Sequence, residues 1–262
     1  MIDRSLVRSW GIQRRIIGAL LMREILTRFG RHNIGFLWVF VEPMIFTIGV
    51  TTLWTVTKAI HNSSLPIAAF AITGYSSVLL WRNMPARCIG AILPNLALMY
   101  HRNVKVIDVF LSRLIIEAAG ATTSFILLSL LFYSIGWINL PEDLLKVIGG
   151  WLALGWFGAA LALLFGSLSE TSELVEKIWH PMAYLTFPLS GAAFQVDALP
   201  EAMRNFMLYI PMVNCVEFIR EGYFGSQVVA HHDMNYVIWV CAVLTLVALT
   251  QAQRISKLVV PE

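Results

Sequence analysis

Two acidic residues lie inside long apolar stretches of this sequence, where a carboxylate is unexpected. Glu42 is followed directly by Pro43 in the first stretch, and Glu117 lies in a later one. A charge at the bilayer centre costs roughly 2.5–3.5 kcal/mol on insertion scales, so such residues usually face a protein interior or a cavity. Pro43 removes one helical hydrogen bond and can kink its helix. We expect Glu42 either to pair with an arginine of the N-terminal segment or to shape the wall or gate of a channel.

The sequence lacks the common motifs of enzymes and nucleotide-binding proteins. It contains no G-x-x-x-x-G-K-[ST] phosphate-binding loop, no H-E-x-x-H zinc motif and no G-x-S-x-G nucleophile motif. Its three cysteines, Cys88, Cys215 and Cys241, lie in apolar surroundings without C-x-x-C spacing, which is typical of buried free thiols. We expect no catalytic residue, no metal and no cofactor in this chain. The net charge of +3 does not indicate a nucleic-acid surface.

Six apolar stretches must position these residues. Of the 262 residues, 58% are hydrophobic and 13% are charged, whereas soluble domains carry about 25% charged residues. A helix needs about 20 residues to cross the hydrocarbon core of a bilayer. The sequence therefore predicts an all-α polytopic membrane protein with six transmembrane helices, at residues 35–59, 65–81, 114–137, 144–168, 178–194 and 236–250.

Lysine and arginine residues are distributed unevenly about these six stretches. Of the 19 such residues, 15 lie in segments that would share one side of the membrane. An excess of basic residues normally marks the cytoplasmic side, so we expect both termini in the cytoplasm. The opposite loops hold only Lys58, Lys146, Arg204 and Arg220.

The N-terminal segment has an amphipathic pattern over residues 5–21. Trp10 and Leu20 share one helical face with other apolar residues. The opposite face carries Arg4, Arg8 and Arg15. An apolar face with tryptophan and an arginine-rich face are typical of a helix that lies in the membrane interface. Such a helix is either a passive lipid anchor or a brace beside a cytoplasmic entrance.

Two segments on the predicted cytoplasmic side are candidates for contact with a partner. The loop between the second and third spans is too long for a simple hairpin, and residues 86–100 predict a short cytoplasmic helix bounded by Pro85 and Asn103. We expect this helix either to dock a soluble partner or to be a surface helix without one. The loop 169–177 is a second, lesser candidate.

Residues 201–225 predict a pair of short re-entrant or interfacial helices on the outer side. Pro211 interrupts their apolar part, and a seventh span here would place the basic C-terminal residues outside. Glu217 and Arg220, three positions apart on a helix, predict a structural ion pair. The fifth span contains Pro188 near its outer end, so we expect it to be bent or broken there.

Several runs of residues resemble a known family. These are R-E-I-L-T-R-F-G at 23–30, L-W-V-F-V-E-P at 37–43, F-P-L-S-G at 187–191 and P-M-V-N-C-V-E-F-I-R-E at 211–221. Together they resemble type-2 ABC exporter permeases, in particular the capsular-polysaccharide and polysialic-acid (KpsM-like) branch. The resemblance extends over roughly residues 20–255.

The resemblance implies a transport subunit of the bacterial inner membrane. It implies a homodimer below which a separate cytosolic ATPase dimer binds ATP and magnesium. It also implies an anionic, lipid-linked capsular polysaccharide as cargo, with a periplasmic polysaccharide co-polymerase and an outer-membrane conduit beyond. The N-terminal segment would be residues 1–34, the six-span domain 35–255 and the cytoplasmic tail 256–262.

Within this framework three groups of residues receive expected roles. The translocation path or gate would use Trp38, Glu42 and Phe187. The glycolipid entrance would use Arg4, Arg8, Arg15 and Arg28. Coupling to the ATPase would use Pro85, Arg87, Leu96, Tyr100, Arg102 and Glu173.

Two alternative functions remain open on the sequence. One is a permease of the same architecture for O-antigen or teichoic-type polymer. The other is a membrane-embedded transferase acting on lipid-linked substrates, which would need a cluster of catalytic residues at one membrane interface.

Overall fold

Helices form all the regular structure in the described part of the chain. The computed structural model describes residues 4–29, 34–57, 65–101 and 104–259. The α-helices are α1 Arg4–Phe29, α2 Ile34–Thr57, α3 Ile67–Cys88, α4 Leu96–His101, α5 Val106–Ser134, α6 Leu144–Ser169, α7 Glu173–Leu185, α8 Glu201–Leu208, α9 Pro211–Phe224 and α10 Met234–Val259. Short 3-10 helices lie at Leu93–Asn95, Pro188–Ser190, Val196–Ala198 and Gly225–Gln227. The all-α prediction is confirmed.

Within these ranges, four helices are long and apolar enough to cross a membrane. They comprise Leu37–Thr57 of α2, Val106–Ser134 of α5, Leu144–Ser169 of α6 and Met234–Leu258 of α10. These helices correspond to the first, third, fourth and sixth predicted spans. The predicted count of six spans is not confirmed by length and composition. The helix at the second predicted span is less apolar, and the fifth predicted span is not one continuous helix.

The second predicted span is helix α3, which lies at the centre of the bundle. It packs against α2, α5 and α6, and residues 68–81 are all buried. Because protein surrounds it, α3 tolerates Thr73, Ser76 and Ser77 among its apolar residues. Its 22 residues extend about 33 Å, so its length suffices for a crossing although its composition is less apolar.

Glycines allow α6 to approach its neighbours closely. A Cβ atom on Gly158 would lie 2.8 Å from the Cα atom of Trp81 in α3, and one on Gly150 would lie 2.7 Å from Cγ1 of Ile219 in α9. Small residues at helix crossings are typical of membrane proteins, since apolar lipid gives helices little other reason to associate. Trp81 and Ile219, at these two contacts, both belong to the main apolar core.

The fifth predicted span, residues 178–194, is not one helix. Helix α7 has 13 residues, and the 3-10 helix Pro188–Ser190 follows it after a two-residue gap. Gly191 then adopts a left-handed conformation with φ of 77°, which glycine does at little steric cost. Pro188 cannot donate a helical hydrogen bond, so the break lies where the sequence predicted it. Helix α7 alone is too short to cross a bilayer.

The region 201–225 forms two short helices, as predicted. Helix α8 ends at Leu208, and α9 begins at Pro211, whose missing N–H is tolerated at the first helical position. Asp143 donates its backbone N–H to the carbonyl of Gly222 at 2.8 Å, which ties the end of α9 to the start of α6.

The single helix predicted over residues 86–100 is wrong. Helix α3 continues to Cys88, Gly90 adopts a positive φ of 63°, and only the short α4 follows the 3-10 helix Leu93–Asn95. A left-handed residue cannot continue an α-helix, and Pro94 then supplies the second interruption.

Helix α1 is longer than the amphipathic segment predicted over residues 5–21. It runs to Phe29 and packs against α5 and α2. Leu20 is buried, whereas Trp10 is 74% exposed. The two apolar residues expected on one face thus differ in environment, because neighbouring helices cover only part of α1.

Candidate functional site

Glu117 of α5 is one of four charged side chains, from four helices, that meet in one place. It accepts a hydrogen bond from Arg28 of α1, and its Oε1 lies 3.3 Å from Nε of Arg87 in the last turn of α3. Glu42 of α2 contacts the same arginines, at 3.3 Å from Arg28 Nη2 and 3.9 Å from Arg87 Nη2. We call Arg28, Glu42, Arg87 and Glu117 the charge cluster.

The two arginines and two carboxylates of the charge cluster balance each other. The side chain of Glu117 is 9% exposed and that of Glu42 is 35% exposed. An unpaired buried charge is strongly destabilising, whereas a hydrogen-bonded pair is tolerated. The ion pair considered for Glu42 is therefore present, with an arginine of the N-terminal helix. A role of Glu42 as a gate stays a prediction.

Several polar contacts hold helix α1 against its neighbours. Arg113 of α5 lies 3.3 Å from Glu24 and donates to the carbonyl oxygen of Arg87 at 2.5 Å. Gln13 donates to Asp108 at the start of α5. Neither Arg113 nor Asp108 has a role predicted from the sequence. Each is a charged residue in the first turns of an otherwise apolar helix, and this pattern could have indicated both.

A cavity of about 190 Å³ lies beside the charge cluster. Arg28, Glu42 and Glu117 form part of its wall, together with Phe46, Arg82 and Asn83. A group bearing charges or hydroxyls can enter such a cavity by exchanging partners with the ion pairs. The cavity wall therefore offers charged and amide groups for polar binding.

The three residues expected on the translocation path lie in different places. Glu42 lines the cavity. Trp38 is 50% exposed on the surface of α2. Phe187 is half-buried after α7, where its ring centroid lies 5.9 Å from that of Tyr75 in α3. The cavity does not bring these three side chains together, and their roles stay predictions.

Of the four arginines expected at an entrance, Arg28 joins the charge cluster. Arg15 is exposed, and its Nε donates to the carbonyl of Gly11 one turn earlier at 3.3 Å. The side chains of Arg4 and Arg8 lie outside the described residues, although the backbone there belongs to α1. Within the described residues, Arg28 is thus the arginine of this group that pairs with carboxylates of other helices.

The residues expected to couple to an ATPase also divide into groups. Tyr100 and Glu173 are exposed, and Leu96 is half-buried. Pro85 is buried in α3, and Arg87 points into the charge cluster. Arg102 lies outside the described residues. Leu93 is not among the residues predicted for coupling, although it is 74% exposed. An apolar side chain directly before Pro94 in the predicted contact segment could have indicated it.

The two candidate contact segments meet at one end of the bundle. The backbone N–H of Gly90 donates to Oγ of Ser169 at 3.2 Å, and that of Ile92 donates to Glu170 at 3.4 Å. Burial raises the pKa of the Glu170 carboxyl above its usual value. We call residues 90–100 and 169–177 the platform.

Glu217 and Arg220 lie 3.9 Å apart in α9, as their spacing predicted, and both side chains are buried. The Cζ atom of Arg220 lies 3.7 Å from the ring centroid of Phe70 in α3. Its guanidinium donates at 2.6–2.7 Å to the carbonyl oxygens of Gly191, Ala192 and Phe194. Arg220 thus fixes the broken segment after α7 against α3 and α9.

Comparison with known proteins shows similarity to membrane transporters. The family model described as ABC-2 type transporter matches residues 15–224. The chain is 44% identical over 254 residues to the capsule polysaccharide export inner-membrane protein CtrC of Neisseria meningitidis serogroup B, with 97% of this chain and 96% of CtrC covered. It is 39% identical over 254 residues to the capsule polysaccharide export inner-membrane protein BexB of Haemophilus influenzae, with the same coverage. Against the polysialic acid transport protein KpsM of Escherichia coli it is 26% identical over 241 residues, with 91% of each chain covered.

Proposed function

We propose a function on one premise: this chain belongs to the ABC-2 type transporter family of membrane proteins. It is the inner-membrane permease subunit for the export of capsule polysaccharide. The observation that carries this conclusion is similarity over nearly the whole chain to inner-membrane proteins named for capsule polysaccharide export, at 39% and 44% identity.

The energy for transport comes from a separate cytosolic ATPase dimer, which binds ATP and magnesium. Leu93, Tyr100 and Glu173 of the platform are exposed and support docking there. Hydrogen bonds between the two platform segments allow them to move together when the ATPase closes. Coupling would then be a rigid-body displacement biased by nucleotide.

The chain crosses the membrane six times, with both termini in the cytoplasm. Helix α3 supplies the second crossing, since its length suffices and its neighbours cover it. Helix α7 and the broken segment after it supply the fifth, and Arg220 of α9 binds three backbone carbonyls of that irregular segment beside α3. Such backbone is tolerated at membrane depth only when protein or a water-filled cavity surrounds it.

The charge cluster acts as a cytoplasmic gate. Arg87 lies in the last turn of α3, three residues before Gly90 of the platform. A displacement of the platform would therefore shift Arg87 relative to Glu42 and Glu117, and would change the adjoining cavity. The gate moves between two sets of ion pairs rather than by bending the packed core.

The cargo enters as an anionic lipid-linked polysaccharide and passes between two copies of the chain. Arg4, Arg8, Arg15 and Arg28 attract its head group at the membrane surface. Trp38 and Phe187 offer aromatic faces to sugar rings along the path. A periplasmic co-polymerase and an outer-membrane conduit receive the polymer.

The rival functions differ in what they require. A permease for O-antigen or teichoic-type polymer would share this architecture, and the names of the relatives favour capsule. A transferase would need a nucleophile or a general base free to react. The two carboxylates that line the charge-cluster cavity, Glu42 and Glu117, are instead paired with Arg28 and Arg87.

The test is to delete the gene in its own bacterium and to measure polysaccharide inside and outside the cell. We expect surface capsule to disappear while polymer accumulates inside, and the intact gene to restore export. Loss of polymer synthesis itself would instead favour a transferase, and loss of O-antigen with normal capsule would favour the other permease.

A second test addresses coupling through the platform. Leu93→Asp should reduce co-purification of the ATPase subunit at least tenfold without loss of membrane insertion. Leu140→Asp is the matched control, because Leu140 is 55% exposed in the loop between α5 and α6. Equal ATPase recovery from both variants would reject docking at Leu93.

A further inference from the structure

An open polar pocket lies at the end of α6 opposite the platform. It is formed where α8, α9 and the loop before α10 meet, and its volume is about 620 Å³. Ligand pockets usually measure roughly 300–1,000 Å³. Lys146 at the start of α6 bonds to Glu221 at 2.9 Å, and Glu221 bonds to His232 of the pocket at 2.7 Å. On the proposed topology this is the outer side.

The pocket wall combines aromatic rings with hydrogen-bonding groups. Tyr209 is 74% exposed, so a face of its ring is open to a ligand. Tyr236 lies beside it, since its hydroxyl donates to the carbonyl of Tyr209 at 2.9 Å. Asn205 contributes an amide and Asp233 a carboxylate to the same wall.

The floor of the pocket is fixed by Asn214, whose side chain is fully buried. Its Nδ2 donates to the carbonyls of Leu208 and Ile210 at 2.7 and 3.2 Å, and its Oδ1 accepts from the N–H of Asp233 at 2.8 Å. The α8–α9 turn is thereby held to the loop before α10. A wall that is already ordered loses less entropy when a ligand binds.

Two histidines of the wall are also held in place. Nε2 of His231 lies 2.9 Å from Asp197, and Nε2 of His232 lies 2.7 Å from Glu221. Among the described residues, Nδ1 of neither ring has a hydrogen-bond partner. Each ring therefore keeps one nitrogen for a ligand.

We propose that this pocket is a carbohydrate subsite that receives a short, hydroxyl-rich stretch of the exported glycan on the outer side; this rests on the proposed function. Sugar rings pack their C–H faces on aromatic side chains, while their hydroxyls pair with amide and carboxylate groups. The open ring of Tyr209 beside Asn205 and Asp233 offers both kinds of contact. A lipid acyl chain would leave these polar groups unpaired, which is unfavourable.

The test measures binding of capsule oligosaccharides, prepared by mild acid hydrolysis of the capsule of the same bacterium. The full chain is held in lipid nanodiscs and titrated by calorimetry, with saturation-transfer NMR for weak binding. We expect Tyr209→Ala to weaken binding at least fivefold and Asn205→Ala about threefold. Tyr209→Phe should retain binding, because the ring rather than the hydroxyl makes the contact. Tyr133→Ala is the matched control, since Tyr133 is 48% exposed on α5 outside the pocket.

Binding that Tyr209→Ala weakens and that Tyr209→Phe and Tyr133→Ala preserve would support the subsite. No binding by the unsubstituted chain, or equal binding by Tyr209→Ala, would overturn it. If Tyr209→Ala reduced export without changing oligosaccharide affinity, the pocket would serve a protein partner, and the subsite would be rejected. The gene-deletion test decides the proposed function separately. A chain that exports capsule but binds no oligosaccharide would contradict the subsite and leave the proposed function intact.

Discussion

At the scale of single residues, charge neutralisation explains most of the polar groups in this apolar chain. Glu42 and Glu117 each contact both Arg28 and Arg87, so each carboxylate is shared between helices. Removing one carboxylate leaves two arginines facing the other. The cluster therefore has more effect on stability than an exposed ion pair, for which double-mutant cycles typically give only about 0.2–1 kcal/mol.

Replacing Glu117 with glutamine should destabilise the protein measurably. We expect Glu117→Gln to lower the free energy of unfolding by about 1.5–3 kcal/mol, the range for hydrogen bonds to charged groups. Thermal unfolding in detergent measures the effect as a lower Tm. Glu173→Gln is the matched control, because Glu173 is 89% exposed and its partner Lys177 is 71% exposed.

A double-mutant cycle measures the interaction free energy between Arg87 and Glu117 apart from the effect of each single substitution. The double variant Arg87→Gln, Glu117→Gln should lose less stability than the sum of the two single variants, because the second change removes a charge that the first left unpaired. Strictly additive losses would show that Arg87 and Glu117 do not interact.

Arg220 should not tolerate replacement even by lysine. Its guanidinium donates to three backbone carbonyls and covers the ring of Phe70, which a single ammonium group cannot reproduce. We expect Arg220→Lys to lower Tm and to abolish most export. Arg254→Lys, at an exposed position of α10, should behave like the unsubstituted chain. Normal export by Arg220→Lys would contradict the role assigned to Arg220.

At the scale of helices, close contact at small residues decides how α6 packs. Gly150 and Gly158 lie eight positions apart and face α9 and α3 respectively. Eight residues correspond to two turns plus about 80°, so the two glycines face two neighbouring helices from adjacent sides of α6. Helix α1 packs differently, because hydrogen bonds and ion pairs attach it to α5.

Adding one methyl group to α6 should separate it from α3. We expect Gly158→Ala to lower stability by about 1–3 kcal/mol, as overpacking usually does, because the backbone of Trp81 cannot move aside. Gly155→Ala is the matched control: its Cβ would lie 3.9 Å from Leu80, an ordinary contact. Thermal unfolding of the two variants in the same detergent compares them, and equal Tm values would contradict this packing.

At the scale of the whole molecule, two helices present large apolar faces outward. Only 17% of the apolar window in α2, and the same fraction in α10, is buried within the chain. Helix α2 packs against α3, α5 and α1, whereas α10 packs mainly against α6 and α9. Lipid can cover both faces, and either face offers an apolar surface on which the proposed homodimer could form. The charge-cluster cavity adjoins α2, which favours α2.

Cysteine cross-linking should find the dimer contact on α2. The native cysteines Cys88, Cys215 and Cys241 are all buried, so an introduced cysteine reports alone. We expect Ile45→Cys and Leu53→Cys to form dimers in membranes with a short bifunctional reagent. Val243→Cys on α10, which is similarly exposed, should remain monomeric on denaturing gels. Cross-linking only from α10 would place the contact there.

The sequence was most informative where one physical effect acts alone. Apolar length predicted the helices of the first, third, fourth and sixth spans, because the hydrocarbon core fixes how many residues a crossing needs. Proline at positions 188 and 211 predicted the breaks, because proline lacks a backbone N–H. Spacing alone predicted the pairing of Glu217 with Arg220 within one helix.

Only the tertiary structure decided what depends on neighbours. It showed that α3 is covered on all sides, which lets a less apolar helix lie at the centre of the bundle. It brought Arg28, Glu42, Arg87 and Glu117 together from four helices, although they are distant in sequence. A sequence records which side chains carry charge, but the geometry of packed helices determines which charges meet, because pairing energy depends on separation and burial.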